Sequence, residues 1–252
     1  MQKMYGSRTY EPSSALPFKI SRTKIQYYLE CPRCFYLDRR LGIVRPSGPG
    51  FSLNSAVDTL LKREFDQLRK QGQAHEIMHQ YAIDAVPFVH QDLDVWRENF
   101  TGKQYLHEPT NLIIFGSVDD LWVNPKGELI VVDYKSTSTE NEISLDDQWK
   151  QGYKKQLEIY QWIFRRSGFS VSQTAYIVYA NAGKNRSAFD GKLEFTLTLH
   201  PHDGDDFWIE PVIFDIKKCL ELSKPPDPQK ECEYCKYRQK ASALELSGQL
   251  GL

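Results

Sequence analysis

GSVDDLWVNPKGELIVVDYK, residues 116–135, places a turn sequence between two apolar runs. The runs Val118–Val123 and Leu129–Val132 predict two β-strands. Asn124 begins the intervening turn, a proline follows it, and Gly127 closes it, which is the residue order that a type I turn favours. Gly127 can also adopt the positive φ that ends a three-residue hairpin loop. The stretch therefore predicts a β-hairpin.

A loop at residues 125–127 fixes the register of this hairpin. In that register Asp119 faces Asp133, and Ser117 faces Lys135. Asp133 and Lys135 are two residues apart, so their side chains lie on the same face of the strand. The hairpin is thus expected to bring two carboxylates and one ammonium group together.

Two opposed carboxylates in an apolar hairpin need a counter-charge. Opposed side chains have Cβ atoms about 4.5–5.5 Å apart, where like charges are destabilising. Lys135 can neutralise one carboxylate, and a hard divalent cation such as Mg²⁺ suits the remaining oxygen ligands. The backbone carbonyl of Tyr134 offers a further oxygen. The same residues also fit an ordinary hairpin with an Asp–Lys salt bridge, because Asp-x-Lys is common by chance.

Outside the hairpin, hydrophobic periodicity predicts a layered α/β fold with a mixed sheet. Ser21 is the expected N-cap of a first helix. His200-Pro201-His202 is expected to lie in a loop. The other predicted elements are helices over about 51–71, 146–167 and 205–222, and strands over 112–115, 174–179 and 193–199.

The composition is that of an ordinary globular protein. Of 252 residues, 40% are hydrophobic and 26% are charged, and the formal net charge is −1. No apolar run approaches the roughly 20 residues that cross a bilayer, and the N-terminus lacks an apolar signal core. We therefore expect a cytoplasmic protein without a membrane partner. A phosphate-binding glycine-rich loop and the arrangements of serine or cysteine hydrolases are absent from the sequence.

Basic residues are concentrated in two places. Seven of them lie between Lys19 and Arg45, opposed only by Glu30 and Asp38, and aromatic residues are interleaved with them. Such a segment suits a phosphate backbone, although a solvated helix face has the same composition. The candidate nucleic-acid contacts are Arg39 and Arg40 in this segment, and Lys154 and Lys155 in the predicted helix over 146–167.

Four of the five cysteines form two CxxC pairs, Cys31/Cys34 and Cys232/Cys235. In a cytosolic protein such pairs indicate a metal site more often than disulfides. The alternative is a set of unpaired buried thiols. Cys219 lies in an apolar helical stretch and is expected in the core.

Three motifs resemble the PD-(D/E)XK nuclease superfamily, and more closely its RecB-type branch, which includes AddB and the CRISPR adaptation exonucleases. They are GSVD at 116–119, VDYK at 132–135, and QLEIY at 156–160, which matches the QxxxY motif of that branch. The resemblance covers roughly residues 20–240. It implies a restriction-endonuclease-like core, in which a mixed central sheet is flanked by helices.

The resemblance also implies roles for particular residues. Asp119, Asp133 and Lys135 would be catalytic, with Mg²⁺ or Mn²⁺ on the two aspartates and on the Tyr134 carbonyl. Gln156 and Tyr160 would lie one helical turn apart beside the hairpin and support it. Asp58 stands where the branch places a metal-binding histidine, and a carboxylate can also bind Mg²⁺.

The cysteines resemble those that bind an iron–sulfur cluster in many members of this branch. There, one cysteine precedes the nuclease core and three follow it. Cys31, Cys232 and Cys235 match three of these, the last one expected near Ala241 is absent, and Cys34 could replace it. The four cysteines are therefore expected to hold either a [4Fe–4S] cluster or tetrahedral Zn²⁺.

Together these features predict a metal-dependent DNA nuclease, a RecB-like exonuclease acting on single strands or DNA ends in repair, recombination or CRISPR adaptation. A helicase or a CRISPR adaptation protein is the expected partner. The alternative is a nucleic-acid-binding module with weak or lost catalysis, which Asp58 favours. We expect an N-terminal arm over 1–20 and one nuclease domain over 21–245, in which the metal joins segments 21–45 and 225–240.

Overall fold

The computed structural model of the chain describes residues 9–46, 48, 50, 52–147 and 150–247. They form two compact units. The terminal unit comprises Met1–Gly48, Leu106–Ile114 and Glu210–Leu252, and the sheet unit comprises Pro49–Tyr105 and Phe115–Ile209. Among the helices described, none has both the length and the apolar character of a membrane span. The first eight residues of the predicted N-terminal arm lie outside the described residues.

Within the described residues, the helices are α1 (Arg22–Glu30), α2 (Pro32–Leu41), α3 (Ser52–Gln71), α4 (Glu76–Gln80), α5 (Leu93–Arg97), α6 (Gln151–Arg166), α7 (Ile209–Glu221) and α8 (Glu233–Leu246). The strands are β1 (Phe18–Ser21), β2 (Val86–Pro87), β3 (Lys103–His107), β4 (Leu112–Gly116), β5 (Asp120–Val123), β6 (Leu129–Thr137), β7 (Thr174–Ala182) and β8 (Phe195–Asp203).

The central sheet of the sheet unit has the strand order β2-β5-β6-β7-β8. Its β6 and β7 are parallel, while the other neighbouring strands are antiparallel. Helices α3 and α6 both pack against β6. The predicted mixed sheet flanked by helices is therefore confirmed. A second sheet has the order β1-β4-β3.

The predicted hairpin is formed by β5 and β6, and its register is confirmed. Val123 pairs with Leu129, and Asp120 pairs with Val132. In the turn, the Asn124 side-chain oxygen accepts hydrogen bonds from the backbone N–H groups of residues 126 and 128, both at 3.0 Å. Gly127 has φ +76°, a conformation that residues with a Cβ rarely adopt. The turn residues thus set which side chains face each other across the two strands.

An apolar layer between α3 and the sheet holds this hairpin in place. Leu61 and Phe65 of α3 are buried against Trp122, Val132 and other residues of the sheet. The rings of Phe65 and Trp122 stack with their centroids 5.6 Å apart. Burying side chains of this size contributes about 1.5–3 kcal/mol each. This layer fixes α3, which carries two residues of the candidate site.

In the terminal unit, α1 begins as the sequence predicts. The Ser21 hydroxyl accepts a hydrogen bond from the Lys24 backbone N–H at 3.3 Å, so the predicted N-cap is confirmed. Pro32 is the first residue of α2, where a missing N–H costs no helical hydrogen bond. Gly42 ends α2 with φ +73°. The first CxxC pair therefore lies at the junction of two short helices.

The prediction that His200-Pro201-His202 lies in a loop is wrong. These residues belong to β8, where Pro201 pairs with Tyr176 of β7. β8 is at the edge of the sheet. Proline has no backbone N–H to donate, and an edge strand tolerates it because the outer side of the strand has no neighbouring strand to bond.

Two predicted helices begin later than their sequence patterns indicate. α6 begins at Gln151 and α7 at Ile209. Before α7, the Asp205 carboxylate accepts a hydrogen bond from the Phe207 N–H at 3.0 Å. This local bond competes with helix formation over these residues.

Candidate active site and metal centre

Asp119 and Asp133 meet at the open end of the β5–β6 hairpin. Asp133 lies within β6 and is 1% exposed, while Asp119 directly precedes β5. One Asp119 oxygen accepts a hydrogen bond from the Tyr134 backbone N–H at 2.9 Å. Asp120 pairs with Val132 across the hairpin, so the preceding residue, Asp119, lies opposite Asp133 in the same register. Thus the two carboxylates are neighbours.

Lys135 contributes an ammonium group to the same site. Its Nζ forms an ion pair with Asp133 Oδ2 and lies 4.9 Å from the centre of the Tyr153 ring. The lysine side chain is 20% exposed, against 1% for that of Asp133. The site therefore presents a solvent-accessible cation above a buried carboxylate.

Gln156 and Tyr160 project from α6 toward this pair. Gln156 Nε2 donates to Asp133 Oδ1 at 2.7 Å and lies 3.3 Å from the Tyr160 hydroxyl oxygen. The two residues are one helical turn apart, and both are buried. The QxxxY sequence thus brings an amide to the second oxygen of Asp133.

Asp58, near the start of α3, reaches the site through Lys62, one helical turn further along. Lys62 Nζ lies 2.8 Å and 2.9 Å from the two oxygens of Asp58, and 3.2 Å from Asp119 Oδ1. Sequence reasoning did not single out Lys62. The available signal was its i,i+4 spacing from Asp58, which indicates a helical ion pair but not a contact with Asp119.

Burial and neighbouring charges shift the pKa values of Asp119 and Asp58 in opposite directions. Burial raises the pKa of Asp119, but the ammonium groups of Lys62 and Lys135 and the Tyr134 N–H outweigh it and hold the pKa below its ordinary value. Burial and the Asp119 charge raise the pKa of Asp58 despite its ion pair with Lys62. The two aspartates are therefore not equivalent.

The donor set at the hairpin fits a hard divalent cation. Each of the four oxygens of Asp119 and Asp133 accepts one hydrogen bond, from Lys62, the Tyr134 N–H, Lys135 or Gln156. Carboxylate oxygens are the ligands that a hard divalent ion such as Mg²⁺ or Mn²⁺ prefers, and four of them are gathered here. Lys62 supplies a second positive charge beside Asp119, so neutralisation of the second carboxylate does not depend on a metal alone.

A buried ion network supports the hairpin on its other face. The Asp120 carboxylate is fully buried and pairs with Arg69 and with Arg97, whose Nη2 lies 2.8 Å away. The Tyr134 hydroxyl donates to Asp120 at 2.8 Å, and Arg97 Nε donates to the Asp119 carbonyl at 3.0 Å. Sequence reasoning missed these residues. Strand alternation does indicate that the Asp120 side chain points to the opposite face of the sheet from the Asp119 side chain. The network holds the backbone on which the site is built.

The candidate DNA contacts already have partners within the chain. Lys154 Nζ lies 2.7 Å from Asp146, and Lys155 Nζ lies 5.7 Å from the centre of the Trp208 ring. In the terminal unit, Arg39 pairs with Asp38, and Arg40 Nη1 donates to the Tyr10 carbonyl at 3.2 Å. Phosphate contacts by these four side chains would require them to exchange or share these partners.

The four cysteines of the two CxxC pairs form one buried cluster in the terminal unit. Cys34 Sγ lies 3.5 Å from that of Cys232 and 3.6 Å from that of Cys235, and the sulfurs of Cys31 and Cys235 are 3.8 Å apart. All four sulfurs lie within 4.8 Å of one another. In the described part of the chain, no other group of three or more potential ligands is gathered this closely, the active-site aspartates included.

The surroundings of the cluster act differently on its thiols, because burial raises the pKa of Cys34 and of Cys235 whereas the pKa of Cys31 is lowered. Burial raises the pKa of Cys31, but two backbone N–H groups and the neighbouring thiols lower it to about 7. The Arg45 guanidinium lies 4.5 Å and 4.6 Å from the centres of the Tyr27 and Tyr234 rings, and its positive charge opposes the effect of burial on the pKa of Cys34. Four clustered sulfurs with a fixed cation beside them form a site that can bind a metal. Cys219 is buried and lies outside this cluster, as predicted.

Comparison with protein-family models gives a match that covers most of the chain. No curated protein sequence matches the chain. The crystal structure of SSO0001 is similar at 16% identity over 88% of this chain and 84% of that one, with a TM-score of 0.40, a likeness too low to carry an argument. The family model of the PD-(D/E)XK nuclease superfamily matches residues 19–239. The chain therefore belongs to the PD-(D/E)XK nuclease superfamily.

Proposed function

We propose that this protein is a divalent-metal-dependent DNA nuclease, a RecB-like exonuclease that acts on single strands or DNA ends. The observation that carries the proposal is the contact set at Asp133, whose two oxygens are bound by Lys135 and by Gln156 while Asp119 lies beside it. Paired carboxylates with an adjacent lysine supply what phosphodiester hydrolysis needs.

The proposed ligands of Mg²⁺ or Mn²⁺ are the carboxylates of Asp119 and Asp133, the Tyr134 backbone carbonyl, and Asp58. When bound, the ion would polarise a phosphate oxygen and lower the pKa of a bound water. The support for these ligands is the contact of Asp58 and Asp119 with a common cation, the Lys62 ammonium.

The protein side chains would have separate tasks around the scissile phosphate. The Lys135 ammonium is accessible enough to orient the attacking water and to stabilise the charge that develops on phosphate oxygens. Gln156 would hold the Asp133 carboxylate in one orientation, and Tyr160 would hold Gln156. Such supporting contacts commonly change activity by about 10- to 100-fold.

DNA would be bound through phosphate contacts of Lys154 and Lys155 in the sheet unit and of Arg39 and Arg40 in the terminal unit. The net charge of the chain is −1, so the attraction of DNA phosphates would come from local clusters of basic residues and not from the charge of the whole protein. Because the sequence has no phosphate-binding glycine-rich loop, duplex unwinding would require a helicase partner. Repair, recombination and CRISPR adaptation are the processes that such an enzyme would serve.

For the cysteine cluster we propose one tetrahedral Zn²⁺ ion. With Zn–S bonds of about 2.3 Å, the sulfurs of a tetrahedral site are about 3.8 Å apart, and three sulfur pairs here are 3.5–3.8 Å apart. A [4Fe–4S] cluster binds each thiolate at a different iron and therefore needs a wider spacing. Iron in the purified protein would contradict the zinc assignment without affecting the nuclease proposal.

The nuclease proposal is tested with the full chain and end-labelled DNA. Linear single-stranded, linear double-stranded and circular single-stranded DNA are each incubated with Mg²⁺, Mn²⁺ or EDTA. We expect shortening of linear single strands with either metal, none with EDTA, and protection of circles. Cleavage of circles at the same rate would contradict exonuclease action, and an absence of cleavage under all conditions would contradict the nuclease itself.

A second candidate function is a nucleic-acid-binding module that has lost catalysis. The contact of Lys62 with Asp119 favours it, because an internal ammonium there occupies part of the proposed metal site. This candidate predicts DNA binding without cleavage, and binding that EDTA does not change.

A further inference from the structure

Lys62 is held at the candidate active site by three carboxylate oxygens. Its ammonium lies 2.8 Å and 2.9 Å from the two oxygens of Asp58 and 3.2 Å from Asp119 Oδ1. The contacts with Asp58 Oδ2 and Asp119 Oδ1 are hydrogen bonds, and the contact with the other Asp58 oxygen is an ion-pair contact. Lys62 is therefore bound in much the same way as a small cation in an oxygen site.

This arrangement differs from an ordinary helical ion pair. Asp58 and Lys62 are i,i+4 neighbours on α3, which would place both at the helix surface. Asp119, however, is 57 residues away in sequence and belongs to the hairpin. The Lys62 side chain is only 22% exposed, as is that of Asp119. Lys62 thus joins α3 to the carboxylate that we propose as a metal ligand.

The charges at the site make Lys62 a competitor for a metal ion. Asp58, Asp119 and Asp133 carry three negative charges, and Lys62 and Lys135 carry two positive ones. A dication bound to Asp119 would repel the ammonium that shares the same carboxylate, and the repulsion is strong where burial limits screening. The oxygens of Asp58 are available to a metal only after Lys62 leaves them.

We propose that Lys62 is an internal cation that occupies the Asp58–Asp119 position in the metal-free protein and is displaced by the divalent ion. This inference rests on the proposed function and adds a determinant of metal affinity to it. Because the metal must displace the Lys62 ammonium, the protein binds metal more weakly than the same carboxylates would without Lys62. It also releases the Lys62 ammonium toward solvent when metal binds.

The test compares Mn²⁺ affinities of the full-length wild type, Lys62→Met and Arg63→Met, measured by the loss of the free Mn²⁺ signal in electron paramagnetic resonance. Arg63 is the exposed next residue of α3, so its variant removes the same charge away from the site. Mn²⁺ is chosen because it prefers oxygen ligands to thiolates. We expect Lys62→Met to bind Mn²⁺ about tenfold more tightly or better, and Arg63→Met within about twofold of wild type.

The outcomes separate this inference from the nuclease proposal. Equal Mn²⁺ affinity in wild type and Lys62→Met would overturn the role of Lys62 and leave the metal site standing. Binding by Lys62→Met alone would support the role of Lys62 and favour the catalytically silent candidate function. An absence of binding in all three proteins would overturn the metal site, and the role of Lys62 with it.

A second measurement uses only the wild-type protein, so it does not depend on how the variants fold. Lysine acetylation by acetic anhydride is quantified at Lys62 by mass spectrometry, with and without saturating Mn²⁺. We expect Mn²⁺ to increase acetylation of Lys62 at least about threefold, with Lys126 in the exposed hairpin turn as the unchanged reference. Unchanged or decreased reactivity of Lys62 would overturn the proposal.

Discussion

At the scale of single residues, Asp133 is the most constrained group of the candidate site. It is nearly fully buried, and both of its oxygens have partners from other residues, Lys135 on one side and Gln156 on the other. A buried carboxylate in such a setting keeps its orientation only while both partners remain, because an unsatisfied buried acceptor costs about 1–3 kcal/mol.

Replacing Gln156 by Leu should therefore reduce activity more than DNA binding. The change removes the donor at Asp133 Oδ1 and preserves most of the side-chain volume. We expect kcat for single-stranded DNA to fall about 10- to 100-fold, with the KM for DNA changed less than about threefold. Gln151→Leu is the matched control, because Gln151 is exposed on the same helix. Equal losses in the two variants would contradict a positioning role for Gln156.

The predictability of the site differs between residues. Asp119, Asp133 and Lys135 could be placed together from the register of one hairpin, and Gln156 with Tyr160 from helical spacing. Lys62 could not be placed, because its contact with Asp119 depends on how α3 packs on the sheet. The same holds for Arg69 and Arg97, which meet Asp120 only in the folded chain.

At the scale of elements, the β5–β6 hairpin uses its two faces differently. Asp119 and Asp133 lie on the face of the candidate site, while the next residue in each case, Asp120 and Tyr134, is anchored in the buried ion network. Strand alternation thus connects the candidate site to a structural support one residue away.

Replacing Tyr134 by Phe tests this support without removing a charge. The variant loses the hydrogen bond from the Tyr134 hydroxyl to Asp120 and leaves a buried carboxylate oxygen short of a donor. We expect the free energy of unfolding, from urea denaturation, to fall by about 1–3 kcal/mol. Tyr176→Phe, at a half-buried tyrosine of the same sheet, should change it by less than about 0.5 kcal/mol. A smaller loss at Tyr134 than at Tyr176 would refute the anchoring role.

Elements with strong local signals could be predicted, and those stabilised by their partners could not. The turn at Asn124 and Gly127 fixed the hairpin register in advance, and α3 follows its apolar periodicity. Strand β8 continues through Pro201 because β7 pairs with it along its length, an influence that a local reading of His200–His202 misses. The two-residue strand β2 is too short to have a pattern of its own.

At the scale of the whole molecule, the cysteine cluster connects segments that are distant in sequence. Cys31 and Cys34 precede Cys232 and Cys235 by about two hundred residues, and their sulfurs nevertheless meet in the terminal unit. A metal bound there would close a very long loop, which restricts the unfolded chain and adds the binding free energy to folding. The terminal unit should therefore depend on metal for stability.

Replacing Cys235 by Ala should abolish stoichiometric metal binding and lower the Tm. We expect about one zinc ion per wild-type chain by elemental analysis, a colourless protein, and a Tm decrease of about 5 °C or more in the variant. Cys219→Ala is the control, because Cys219 is a buried cysteine outside the cluster, and it should keep the metal. Retention of the metal by Cys235→Ala, or a Tm equal to that of wild type, would contradict the four-cysteine site.

The central claim is that Asp119, Asp133 and Lys135 form the hydrolytic centre. The most direct measurement compares single-turnover cleavage of labelled single-stranded DNA with Mn²⁺ by wild type, Lys135→Met and the control Lys126→Met, with DNA affinity measured by fluorescence anisotropy. We predict that Lys135→Met cleaves at least about 100-fold more slowly while binding DNA within about threefold of wild type, and that Lys126→Met, altered in the exposed turn of the same hairpin, cleaves normally. Cleavage by Lys135→Met at the wild-type rate would contradict the account.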